Sequence, residues 1–407
     1  MQLLHLALKN VLRSRHRTWV TIAAMAFAGC IMIFYASLLQ GWLRSMERNA
    51  VDMETGELQI HAPGFRQDPD LYNVIVDAKG VIKRASAAGF ICAGRLLGSG
   101  LAAADENSTG VSIMGIDPGA DDLVTRLHAH VQAGRWLSRK ENNGVVIGSK
   151  LATILAVRPG SELVLVSQAA DGSMANDLYT VRGVLQSVSR EVDRGGLFMT
   201  AAAFRAFFVL PAGVHEIVLR RALRSESLTA ATGRLRALFP NLEVKNWRQL
   251  QPTLARLLDL SNVSLVILLL ITYAAVGMLT LNAMLMGVFE RIPEFGVMKA
   301  LGFSGSRLFG LIVLETVIQV AIGAALALVT GVPLALYFSV HPLDFSFLLR
   351  GSSTIAGIAF EPRWYCEVTG HSVLLPVLFL FGAALTAILY PAVKAAMIRP
   401  VAAIHHR

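Results

Sequence analysis

The chain is 407 residues long, 54% hydrophobic and only 16% charged, with a formal net charge of +9 and a mean hydropathy of +0.54. A soluble domain carries about 25% charged residues, so this balance excludes an ordinary soluble protein and fits a membrane protein with a substantial soluble part. Excess Lys and Arg in such a chain reports topology before nucleic-acid binding; no basic run is interleaved with aromatics, and no nucleic acid is expected as a partner.

The chain opens on a basic, amphipathic segment, residues 1–17, with Lys9, Arg13, Arg15 and Arg17. The first apolar run, Trp19 to Leu39, contains no charge and is long enough to span a bilayer. A secretory signal would have an apolar core of about 7–15 residues followed by a small-residue cleavage site. Here Ala24-Met25-Ala26 and Ala26-Phe27-Ala28 fall inside the run, too near its start. An uncleaved first span over residues 18–41 is therefore expected.

Residues 42–260 are enough for a hydrophobic core of their own. β-rich stretches at Glu57–His61, Val145–Ile147, Glu162–Val166, Tyr179–Val184 and Glu216–Leu219 mix with helical ones at Lys79–Ala88, Ser149–Ala156, Ala201–Phe208 and Ser227–Phe239. Asp117-Pro118-Gly119, Arg158-Pro159-Gly160 and Asp171-Gly172 read as turns between them. This predicts a large α+β domain inserted between the first two transmembrane helices. Its last helical stretch, Leu250 to Leu260, runs straight into the second span.

Three further apolar runs predict spans at residues 261–289, 308–340 and 372–391, making a membrane α-helical protein with four transmembrane helices. Basic loops stay in the cytoplasm. The loop at 290–307 carries Arg291, Lys299 and Arg307, and the tail at 392–407 carries Lys394, Arg399 and Arg407 without acids. The loop at 341–371 sets Arg350 and Arg363 against Asp344, Glu361 and Glu367. The termini and the middle loop are thus expected inside, and the inserted domain and the 341–371 loop outside.

Within the third span, Gly323, Ala327 and Gly331 recur at four-residue spacing. Small residues so placed let two helices approach closely in lipid, although the span is Ala-rich throughout. Glu315 and Gln319 share a face of the same helix. An ionisable residue in a span is costly; the expectation is helix–helix contact, with snorkelling to the inner interface or a proton or substrate role as alternatives. Asn282 in the second span has the same structural reading.

Chemistry motifs are missing. No G-x-x-x-x-G-K-[ST] string occurs, and Gly302-Phe303-Ser304-Gly305 lacks the Lys and the flanking strand of a phosphate loop. No nucleophile elbow or H-E-x-x-H helix is present. No catalytic, cofactor-binding or metal-ligating residue is expected. His128 and His130 suit one face of a strand but read as solvated surface, and His405-His406 as a free tail. Asp121-Asp122, beside a Pro-Gly turn, also reads as solvated. In the predicted topology Cys92 and Cys366 both lie outside, so a disulfide is conceivable, but scattered Cys30, Cys92 and Cys366 make no framework and unpaired thiols are expected.

The middle loop is the informative segment. Ile292, Phe295, Met298 and Leu301 recur at helical spacing, Pro293 suits a first turn and Gly302 suits a C-cap. Such a short amphipathic helix lies in the lipid interface or docks into a groove of a cytoplasmic partner. The segment Glu290–Phe303 resembles the coupling-helix signature of FtsX-like, MacB-type ABC transporter permeases, roughly E-R-x-x-E-F-G-x-M-K-A-L-G, through Glu290, Arg291, Glu294, Phe295, Gly296, Met298, Lys299, Ala300, Leu301 and Gly302. Leu8–Thr18 resembles the family's helix before the first span. Gly134–Ser138 followed by Gly144–Leu155 resembles its periplasmic core, and Tyr390–Val401 its C-terminal P-A-x-x-A-A-x-x-x-P motif. Thr55–His61 leans toward the lipoprotein-releasing-system branch.

The resemblance implies an inner-membrane permease working as a dimer, with a second copy or a paralogue, above two copies of a cytoplasmic ABC ATPase that holds the ATP and Mg. It implies that the coupling residues named above contact the ATPase, that membrane lipids surround the spans, and that a lipoprotein or other amphiphilic substrate leaves from the outer side. The alternative is a non-transporting mechanotransmitter that relays ATPase cycles to a periplasmic partner enzyme or regulator.

Overall fold

The computed structural model describes residues 2–13, 15–186, 188–223, 226–344, 354–355, 358–359 and 363–398. Of the residues used above, Arg350, Glu361, Arg399, Pro400, Val401, His405, His406 and Arg407 lie outside the described residues. The chain divides into two compact units, one from Met1–Leu43, Leu258–Phe345 and Arg363–Arg407, the other from Arg44–Leu257 with Ser346–Pro362.

In the first unit a helix Gln2–Arg13 precedes four long ones: Arg15–Ala50, Pro252–Glu290, Gly305–Val340 and Gly370–Ala396. Among the described residues these four are long and apolar enough to cross a membrane. They outrun the apolar stretches, because polar residues continue the helical hydrogen bonding at either end. The second span's helix starts at Pro252, a residue tolerated in a first turn because it lacks an amide the helix would leave unpaired anyway.

Backbone approach fixes the first span against the third. A Cβ on Gly29 would lie 2.7 Å from the Ala327 Cβ, and one on Gly331 3.1 Å from the Cys30 Cα. A Cβ on Gly323 would lie 3.0 Å from the Met25 Cβ. The Gly323–Ala327–Gly331 row is thus the seam on which the first span rests. At the far end of that span the segment after Arg363 folds back as a clasp. The Glu367 amide donates to the Ser37 carbonyl at 2.8 Å, the Trp42 and Trp364 rings lie 5.7 Å apart, and a side chain on Gly41 would collide with the Tyr365 carbonyl.

Among the described residues the second unit is built on one ten-stranded sheet: β1 (Leu58–His61), β2 (Phe90–Ala104), β3 (Asn107–Ile116), β4 (Val131–Gly134), β5 (Gly144–Ile147), β6 (Glu162–Gln168), β7 (Met174–Leu185), β8 (Gly196–Thr200), β9 (Glu216–Arg221) and β10 (Glu243–Asn246). The pairings close on themselves: β2 joins β3, β3 joins β8, β8 joins β5, β5 joins β7, β7 joins β6, and β6 returns to β2. Outside this ring β9 continues from β2, and β1 lies between β9 and β10, antiparallel to both. The two parallel pairings, β3 with β8 and β5 with β7, make the sheet mixed. Leu163, Leu165, Val111, Ile113, Leu197 and Val181 are fully or almost fully buried in its main core.

Two sequence expectations fail here. Asp117-Pro118-Gly119 is not a turn between elements but opens a helix, Pro118–Val124, with the Asp117 carboxylate capping the Gly119 amide. Asp121 is therefore not solvated. It is fully buried and takes the Arg95 Nε at 2.6 Å and Nη2 at 3.1 Å. Arg95 also faces Glu216 at 3.5 Å, which lies 3.4 Å from the His61 Nε2. Each buried charge here has an opposite partner, the condition under which such groups are tolerated.

Candidate functional site

The loop between the second and third spans folds as a helix, Ile292–Ala300. Glu294 in its first turn and Lys299 in its last match the sign of the helix dipole. Gly302, at φ +91°, ends it: its amide donates to the Lys299 carbonyl and the Phe303 amide to the Met298 carbonyl, both at 3.0 Å. That pair of bonds satisfies carbonyls the helix would otherwise leave open, and the left-handed conformation favours glycine.

Three anchors bind one face of this helix to the spans. Phe295 is fully buried among Leu308, Leu311, Ile312, Ile388 and Ala392 of the third and fourth spans. Arg291 donates through Nη1 to both Glu315 oxygens, at 3.2 and 3.1 Å, and through Nε to Glu294 at 3.4 Å. Its guanidinium lies 5.1 Å from the centre of the Phe295 ring. The Lys299 ammonium donates to the carbonyls of Ala396 and Ile398, at 2.5 and 2.8 Å, at the C-terminal end of the fourth span's helix. A cation is favourable at that position.

Glu315 is the junction. Its carboxylate also accepts from the Asn10 amide at 2.5 Å, tying in the helix before the first span. Of the readings open for Glu315, the geometry is that of helix-to-helix contact: the residue is 7% exposed. Beside it a cavity of about 310 Å³ is lined by Asn10, Thr18, Thr21, Arg291, Glu315 and Gln319. Sequence reasoning placed Glu315 and Gln319 on one face but had no signal for Asn10 or Arg291 as partners. Both lie far along the chain.

The opposite face of the loop helix is uncovered and apolar. Pro293, Val297, Ala300 and Leu301 are exposed, Val297 by 51% and Leu301 by 83%. Met298 is half-buried against the spans, Gly296 is buried, and Glu290 and Gly302 are exposed. The signature residues thus divide between two faces, with Arg291, Phe295 and Lys299 turned inward and Ala300 and Leu301 outward.

Among the described residues no group of three or more His, Cys, Asp or Glu is placed to hold a metal ion. His128 sits in a short 3₁₀ turn, with Nδ1 3.4 Å from Asp122. The three cysteines are free. Burial pushes the Cys92 thiol up to about 11, against a weaker opposing hydrogen bond with Ser86, so it is not a nucleophile at neutral pH.

Residues 266–400 match the FtsX-like permease C-terminal family, and residues 18–238, more than half of the chain, match the MacB-like periplasmic core domain. No curated protein matches the chain. Among solved structures, the periplasmic region of MacB from Actinobacillus actinomycetemcomitans is similar at 16% identity and a TM-score of 0.37, over 51% of this chain and 94% of that one. The extracellular domain of the ABC-type transporter YknZ from Gram-positive bacteria is similar at 16% identity and a TM-score of 0.34, over 46% of this chain and 98% of that one. The chain belongs to the family of FtsX-like ABC transporter permeases that carry a MacB-like periplasmic core domain.

Proposed function

We propose that this permease couples ATP hydrolysis by a separate cytoplasmic ATPase, bound in two copies, to extraction or export of a lipoprotein or other amphiphilic substrate on the outer side of the inner membrane. Permeases of this type work with cytoplasmic ABC ATPases and often dimerise. The basic flanks of the 290–307 loop support a cytoplasmic position for it and both termini, where a partner ATPase can reach it. Thr55–His61, which resembles the lipoprotein-releasing branch, supports a lipidated cargo.

The observation that carries the proposal is the two-sided loop helix. Its inner face is fastened to the third and fourth spans by Phe295, Arg291 and Lys299, so a push on it is delivered to the spans. Its outer face offers Val297 and Leu301 as apolar anchors of the kind that seat a helix in a partner's groove. The ATPase contact therefore falls to Val297, Ala300 and Leu301, with Glu294 at the margin, while Phe295 acts from behind.

Co-purification of the ATPase in mild detergent tests this division. Val297→Asp with Leu301→Asp is expected to abolish co-purification and ATPase stimulation while leaving the permease at normal level and melting temperature. Phe295→Ala is expected to lower the permease's own stability by about 3–5 kcal/mol. A double Asp variant that still captures and stimulates the ATPase would refute the docking role.

A further inference from the structure

Three strands of the second unit carry a polar row on one face. On β1 the side chains alternate: Leu58 and Ile60 enter the main core, while Gln59 and His61 point the other way. The register sets His61 opposite Glu216 on β9, and Glu216 opposite Arg95 on β2. Residues directly opposite in a ladder share a face, so the row crosses the three strands. A cavity of about 660 Å³, lined within this unit, has Gln59, Glu216 and Gln251 on its wall beside the apolar Leu97, Met114 and Leu250.

Three acceptors on that wall are under-used. Gln59 is 4% exposed, and its amide nitrogen donates to the Thr55 carbonyl at 3.0 Å. A carbonyl only accepts, so this bond fixes which end of the amide is the oxygen. Gln59 Oε1 is then buried without a partner among the described residues, and so is Gln251 Oε1. Glu216 is the third. One buried guanidinium, Arg95, stands between two buried carboxylates, 2.6 Å from Asp121 but 3.5 Å from Glu216. Buried acceptors left unpaired are costly, and each one calls for an explanation. The exposed part of the lining has the opposite character, with Arg66 and Arg190 beside one acid, Glu191.

We propose that this cavity binds a small zwitterion, an α-amino acid with an apolar side chain. Its ammonium lies among Gln59, Gln251 and Glu216, and its carboxylate at Arg66 and Arg190. A primary ammonium has three N–H donors and no acceptor, which complements three acceptors of which one is charged. Guanidinium groups suit a carboxylate, and Leu97, Met114 and Leu250 offer the side chain an apolar wall. Water also pairs with bare acceptors, but it brings no positive charge to Glu216. Gln59 stands on the unit's first strand and Gln251 one residue past the helix Trp247–Leu250. A bound amino acid thus links the two ends of the unit's chain, as an effector of the permease. Neither the ATPase nor the cargo enters into this binding.

Isothermal titration of the full chain in detergent, with leucine as the probe, tests the site. Leucine is expected to bind once per chain and to raise the melting temperature. N-acetylleucine, which has no ammonium, is expected to bind at least about tenfold more weakly. Leucinamide keeps the ammonium and loses the carboxylate, so it should bind more weakly than leucine. Arg66→Ala with Arg190→Ala should erase that difference, and both arginines are exposed, so the fold is kept. Gln59→Met should cut leucine affinity about tenfold. It also loses the bond to Thr55, so its unliganded melting temperature is measured alongside, and the ligand series and the arginine variant stand without it. No leucine binding, equal affinity for leucine and N-acetylleucine, an unchanged gap between leucine and leucinamide in the arginine variant, or full affinity in Gln59→Met would each overturn the proposal.

Discussion

His215 ties two segments of the inserted unit through one buried ring. The Leu97 amide donates to Nδ1 at 3.0 Å, which leaves the proton on Nε2 to donate to the Leu71 carbonyl, also at 3.0 Å. Burial holds the imidazole below its ordinary value of 6.5; the Leu71 carbonyl and Glu216 pull the other way, and Arg205 adds to the burial. Because the folded value lies below the unfolded one, the neutral ring stabilises the fold fully above pH 6.5, and that contribution is lost as pH falls from 6.5 through the folded value. The melting temperature of the inserted unit in the intact protein should therefore drop between pH 7.5 and 5.5, and His215→Asn should flatten that drop. Such ties were not legible in the sequence. His215 and Leu97 are 118 residues apart, and Asp121 was read as solvated because nothing near it in the chain announces Arg95. Motif matching located the loop residues, but only the packing separates Phe295, which is buried, from Leu301, which is not.

Among the elements, the spans and the short strands β1, β5, β6 and β9 could be read directly, because apolar length and β-branched runs are local signals. Two long neighbours in the sheet, β2 and β3, were missed. Phe90–Ala104 is rich in Gly and Ala, which carry little strand signal. The structure explains the composition: a Cβ on Gly98 would lie 2.7 Å from the Phe208 ring, and one on Gly115 2.5 Å from Phe204. Aromatic rings from the helix Ala201–Phe207 and its end fill the space the glycines leave. The same logic gives a prediction for the membrane seam. Gly331→Leu should lower thermal stability in detergent by about 1–3 kcal/mol through overpacking against Cys30. Gly310→Leu on the same span, where a Cβ meets nothing within 4 Å, should leave it unchanged.

At the scale of the whole molecule, the proposed export and the mechanotransmitter reading differ in whether a cargo or only motion leaves the membrane unit. Photoreactive residues at positions 39–43 and 261–265, at the ends of the first two spans that the proposed topology puts outside, should capture a lipidated polypeptide during ATP turnover. Capture of an unlipidated periplasmic protein instead would support the mechanotransmitter reading. The order of strands has a separate consequence, for biosynthesis. β1 is the first strand made after the first span, yet both its partners, β9 and β10, are among the last made before the second. Until about residue 221 has been delivered, β1 has no neighbour on either side and the ring lacks the strand that joins it to β1, and until about residue 246 β1 still lacks its second neighbour. A nascent chain stalled before β9 would expose an unpaired strand carrying Leu58 and Ile60. In the proposed topology, export of this segment should thus depend on a holding chaperone through most of its synthesis, and truncations ending before β9 should be degraded rather than accumulate as partial domains.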